Sequence, residues 1–129
     1  MTITYNNLIA ALDERFPQFA AYLGELRPSI SDNVSIYFTF FSVYLKEYWE
    51  DEQVHQQLAV LLHQMQASVE EATRIILHDF LLDVCSSCKE HDKDLHVLAQ
   101  QLTPELQSQL QQLNEGWLTH ACALPRGCC

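Results

Sequence analysis

Between Ser31 and Trp49 the chain reads SDNVSIYFTFFSVYLKEYW, and this stretch constrains the fold more than any other. It holds seven of the thirteen aromatic residues: Tyr37, Phe38, Phe40, Phe41, Tyr44, Tyr48 and Trp49. From Val34 to Trp49 only Lys46 and Glu47 are charged. A segment so aromatic and so nearly uncharged has to be covered by the rest of the protein. At helical spacing Ile36, Tyr37, Phe40, Phe41, Tyr44, Leu45 and Tyr48 fall on one broad stripe. Phe38 and Val43 lie off it, which predicts burial on more than one side. Ile, Val, Thr, Tyr and Phe also favour strands, so VSIYFTF over 34–41 has a strand alternative. Length, and the lack of a second strand-like run nearby, favour a central core helix.

Helical signals continue on both sides. Thr4 can cap a first helix in which Tyr5, Leu8, Ile9, Leu12 and Phe16 repeat. Pro17 suits the first turn of a second, carrying Phe19, Tyr22, Leu23 and Leu26, which Gly24 weakens and Arg27-Pro28 ends. A loop over 29–33 follows, with Ser31 or Asp32 as the cap of the aromatic helix. After it, Val54, Leu58, Leu61, Leu62 and Met65 share one helical face. Ser68-Val69-Glu70-Glu71 has capping-box form and opens a helix with Val69, Ala72, Ile76, Phe80 and Val84 in register, ending at Cys85. CSSCKEHDKD reads as a polar break. A short helix with Leu95, Leu98 and Leu102 stops at Thr103-Pro104. A last helix steps through Leu106, Leu110, Leu113, Trp117 and Ala121.

The expected fold is all-α: a single-domain bundle or short solenoid-like array of about six to seven antiparallel helices. One helical domain spans 1–124, and 125–129 form a flexible tail. Three glycines and four prolines are too few for the turns of an all-β protein. The uncharged run 33–45 is too short and hydroxyl-rich to span a bilayer, and the N-terminus lacks the pattern of a secretory signal. Five cysteines without such a signal point to free thiols in a reducing cytoplasm. Cys128-Cys129 has the form of a prenylation site, but no phosphate-binding loop or polybasic run accompanies it.

The net charge is −10. It disfavours nucleic acid and anionic membranes, whose phosphates need positive charge, and it suits a basic protein partner. Glu50, Asp51, Glu52, Glu70, Glu71, Asp79 and Asp83 are the candidate partner-binding acids. The first five sit at helix starts, where the dipole alone also favours them, and they are expected to gather at one end of a helix pair. Tyr48, Trp49 and Trp117 are candidate aromatic anchors. Cys85-x-x-Cys88 with His91, and His96 beyond, is the most metal-like cluster, but no second CxxC or HxxxH completes it. A buried cysteine equally serves as a small hydrophobe. His55 and His63 share a flank without i,i+4 chelation. His78-Asp79 is read as a hydrogen-bonded boundary pair. No catalytic signature stands out, so the chain is expected not to be an enzyme and to need no cofactor.

Together, DERFPQFAAYL, IYFTFFSVYLKEYW, VHQQLAVLLHQMQAS and VEEATRIILHDFLLDV resemble small all-helical immunity proteins that accompany bacterial polymorphic toxins, including those of contact-dependent inhibition. The glutamine-rich last helix and cysteine-rich tail depart from that pattern. The resemblance implies non-catalytic neutralisation of a cognate, basic, nuclease-type toxin by stoichiometric binding. The alternatives are a metal- or thiol-dependent protein using Cys85, Cys88 and His91, and a helical scaffold or oligomer subunit. The oligomeric state is left open.

Overall fold

The computed structural model describes the backbone of residues 3–122 and the side chains of residues 3–114. The side chains of Trp117, Ala121 and Cys122, and the segment 123–129 with Cys128 and Cys129, lie outside the described residues. Eight α-helices occur among those described, and no strand: α1 (Leu8–Arg15), α2 (Pro17–Leu23), α3 (Arg27–Ile30), α4 (Val34–Glu47), α5 (Glu52–Gln66), α6 (Glu71–Glu90), α7 (Leu95–Ala99) and α8 (Pro104–Cys122). The fold is all-α, as expected. Two of the eight, α3 and α7, have only four and five residues.

The aromatic stretch is helical rather than extended. Asn33 starts α4: its Oδ1 accepts from Ile36 N at 3.1 Å. This corrects the expected caps Ser31 and Asp32. Those two follow α3, a helical turn where a loop was expected; Pro28 is tolerated there because it sits at the turn's start, where no intrahelical N–H is required. Pro17 opens α2 for the same reason. Gly24 ends α2 with φ +56°, a backbone state that glycine adopts without Cβ strain.

Helix α4 is the hub, and its most extensive packing is on α6. Tyr37, Phe38, Phe41, Tyr44 and Leu45 are buried, so Phe38 is covered although it lies off the main stripe. Val43, also off the stripe, is exposed, as are Ile36 and Tyr48 from the stripe itself. Phe41 meets Phe16, Phe19 and Phe80 at ring-centroid distances of 4.8, 5.2 and 5.6 Å. Phe38 meets Phe80 edge-on at 5.5 Å. Phe41 and Phe80 stack nearly parallel, while the other pairs set positive ring edges on negative faces, and each pair adds about 0.5–1.5 kcal/mol beyond area burial. Asp13 fixes three elements to one another by accepting hydrogen bonds from the Tyr37 hydroxyl and the Arg27 guanidinium. Burial, and then Asp13, push the Tyr37 hydroxyl up to about 12. No pattern in the sequence announced this tie between α1, α3 and α4.

Two expectations about α6 need correction. Ser68 does not form a capping box: Glu70 is the residue before the helix, and Val69 projects outward at 85% exposure. Nor does the helix end at Cys85. It runs on to Glu90 because Cys85 and Cys88 continue the buried stripe of Leu77, Leu81 and Val84, while Lys89 and Glu90 face out. Asp92 then adopts φ +55°, and Lys93 N reaches back to Cys88 O at 2.9 Å, closing the helix with a left-handed stop.

Candidate functional site

The turn from α4 into α5 is a built corner. Trp49 is 3% exposed; its Nε1 donates to Asp94 O at 3.1 Å, and its ring stands edge-on to His55 at 4.5 Å. His55 is buried and bonds Trp49 O through Nε2 at 2.6 Å. Trp49 therefore supports the corner from inside and presents no side chain to a partner. Its neighbour Tyr48 points the other way and is 44% exposed. Tyr48 rests on Tyr44 at 4.7 Å, and Tyr44 on Tyr22 at 5.2 Å, a ladder that roots the exposed phenol in the aromatic core.

A groove of about 490 Å³ opens beneath this ladder between α1, α4 and α5, with Glu14, Arg15, Tyr44, Tyr48, Asp51 and Gln57 among its walls. Asp51 caps α5, accepting from Gln53 N at 2.9 Å. Glu50 and Glu52 flank it, both exposed. Glu47, nearby on α4, accepts from the Tyr22 hydroxyl, which burial and then this carboxylate raise above the ordinary tyrosine range. The Tyr44 hydroxyl is raised too, first by burial and then by Tyr48 and Asp51. Arg15 spends two donors on Gln64 Oε1, at 2.9 and 3.3 Å. Lys93 lies 3.8 Å from Glu50. Chemically, the corner pairs an anchored aromatic face with carboxylates, a setting that attracts a lysine or arginine side chain.

The expected gathering of the acids at one end does not occur. Lys93 and Asp94, just past α6, touch Glu50 and Trp49, just before α5. The start of α5 thus adjoins the end of α6, and the two helices run antiparallel. Glu70 and Glu71 sit at the opposite end, roughly 22 Å away by the length of α5 at 1.5 Å per residue. There Glu70 Oε1 accepts from Tyr5 N at 3.0 Å. Asp79 and Asp83 form a third group midway along α6, beside α4. A pattern of acids at helix starts was legible in the sequence, but their mutual distance depended on helix direction.

The cysteine alternative fares differently. Cys85 and Cys88 are buried, and burial pushes their thiols up to about 11 and about 12, away from the thiolate that a metal or redox partner needs. His91 is exposed and lies 3.9 Å from Glu90, and His96 is exposed on α7. Among the described residues no three His, Cys, Asp or Glu side chains stand where they could hold a metal ion. His63 accepts from Thr103 N at 3.2 Å, joining α5 to the start of α8. No described helix is long and apolar enough to cross a membrane.

Comparison with protein families, with curated proteins and with solved structures finds no match to this chain.

Proposed function

We propose that this chain is a non-catalytic binding protein for a basic protein, an immunity protein that neutralises a cognate toxin by stoichiometric contact in the cytoplasm. The observation that carries the reading is the corner. Tyr48 is anchored by Tyr44 and exposed at the mouth of a groove it shares with Asp51, whose chain neighbours Glu50 and Glu52 are exposed too. A net charge of −10 would draw a basic partner at long range, and the tyrosine would hold it at short range. The resemblance to immunity proteins gives the partner its class, a nuclease-type toxin with a basic active site. The corner can mask such a site without performing chemistry.

Co-expression with the protein encoded immediately upstream tests this. The expected result is a stable one-to-one complex and rescue of growth from that protein's toxicity. No complex and no rescue would overturn it.

A further inference from the structure

Helix α4 has a second side that the corner does not use. Ile36, Phe40 and Val43, at i, i+4 and i+7, share its outward side; Ile36 and Val43 are 42% and 40% exposed, and Phe40 is half-buried. No charge occurs on the helix from Val34 to Leu45. A surface helix ordinarily turns polar and charged residues to water, and one that is apolar all round is ordinarily covered. Beside this side a groove of about 310 Å³ runs between α4 and α6, with Ser35, Phe38, Thr39, Ile76, Asp79 and Asp83 in its walls. Ile75 continues the apolar surface along α6 at 51% exposure.

The charges in this groove say what would cover it. Asp83 is half-buried, and burial, then the nearby Asp79, raises its carboxyl above the ordinary range. Among the described residues no lysine or arginine forms an ion pair with Asp79 or Asp83; the nearest imidazole nitrogen is His78 Nδ1, 3.6 Å from Asp79. A partly desolvated carboxylate without a cation is unfavourable, and an incoming cation relieves it. A second copy of the chain is poorly suited. Two-fold pairing would oppose the same two aspartates across the interface, on chains of charge −10 each. We propose that the outward side of α4 and the α4–α6 groove dock a basic amphipathic helix from a partner protein, its aliphatic residues on Ile36 and Val43 and a lysine or arginine at Asp83. Phe40 borders Tyr44 one turn along, but the α4–α6 groove shares no wall residue with the groove at the corner, so the two sites are tested separately.

The test is a titration of isotopically labelled full chain with a synthetic amphipathic helical peptide of leucine and lysine, followed by amide resonances. Its counterpart with glutamate in place of lysine is the control. The expected result is resonance change centred on Ile36, Thr39, Val43, Asp79 and Asp83 with the lysine peptide alone. The double variant D79N/D83N, which removes a desolvated charge and so keeps its fold, should bind about tenfold more weakly. Glu71→Gln, exposed and outside the α4–α6 groove, should bind unchanged. Changes centred on the Tyr48 corner, no change, or equal response to the glutamate peptide would overturn the proposal. So would a concentration-dependent dimer in sedimentation that Val43→Lys abolishes, which would assign the face to a second copy.

Discussion

The starts of α5 and α6 look alike in sequence and differ in structure. Each has two or three acids at a helix N-terminus preceded by an apolar residue, Tyr48-Trp49 in one case and Val69 in the other. At the start of α5, Asp51 caps the helix, Trp49 is locked to Asp94 and His55, and Tyr48 is held above a groove by Tyr44. At the start of α6, Glu70 makes no side-chain cap, bonds Tyr5 N instead, and Val69 stands in solvent at 85% exposure. Acidic residues at a helix start are therefore a weak sign of a binding face. On the proposed function, the aromatic platform beside the α5 acids makes the difference, because it would supply contact area already ordered before a partner arrives.

The largest expected effect comes from removing what props up the corner. Trp49→Ala should lower stability by about 3–5 kcal/mol in denaturant melts, since losing the buried indole leaves a cavity and takes from the Asp94 carbonyl one of its two donors, Val97 N remaining at 3.3 Å. Val69→Ala should be neutral within about 0.5 kcal/mol, as for an ordinary surface site. A smaller effect, on binding, distinguishes platform from prop. Tyr48→Ala should weaken the complex with the basic partner by about 2 kcal/mol, the scale of an interface hot spot, while leaving the melt nearly unchanged. Equal loss on Val69→Ala would erase the contrast.

Capping gives a finer comparison. Asp51→Ala should cost about 1 kcal/mol in stability, as loss of a bonded N-cap does. Glu70→Ala should cost less, because its carboxylate caps nothing and its bond to Tyr5 is exposed. The smallest effect at neutral pH is alkaline. The folded state raises Cys85 and Cys88 from 9.0 to about 11 and about 12, so their contribution is whole below pH 9 and is lost as pH rises toward those values. The sign follows from the unfolded chain, which ionises first and is favoured as thiolate. Cys88 lies on α6 one turn before the Lys93–Asp94 joint, so hydrogen exchange at Trp49 and Asp94 should accelerate through this window before exchange at Tyr5 does. Simultaneous acceleration would argue against a separate corner joint.

Much of this architecture was legible from spacing. The helical reading of the aromatic stretch and Pro17 at the first turn of α2 rest on local chemistry, and local chemistry decided them; the short helix expected to run through Leu102 to Thr103-Pro104 stops at Ala99 instead. The end of α6 was misread because Ser86, Ser87, Lys89 and Glu90 looked like a break, although Leu81, Cys85 and Cys88 already kept the helical period. The site was harder to read. Tyr48 and Trp49 are adjacent and chemically alike, and what sets Trp49 apart is its bond to Asp94, 45 residues away, together with its packing on His55. The two acidic helix starts appeared to share one end because helix direction is set by chain reversal, which no single residue records.

The most direct test of the central claim is a calorimetric titration of the protein encoded immediately upstream into two charge-reversed forms of this chain. One carries Glu50→Lys, Asp51→Lys and Glu52→Lys; the other carries Glu70→Lys and Glu71→Lys. The account predicts a loss of about a hundredfold for the first, roughly 2.7 kcal/mol, and at most a few-fold for the second. Equal losses, or a larger loss at the start of α6, would contradict a binding face built on the Tyr48 corner.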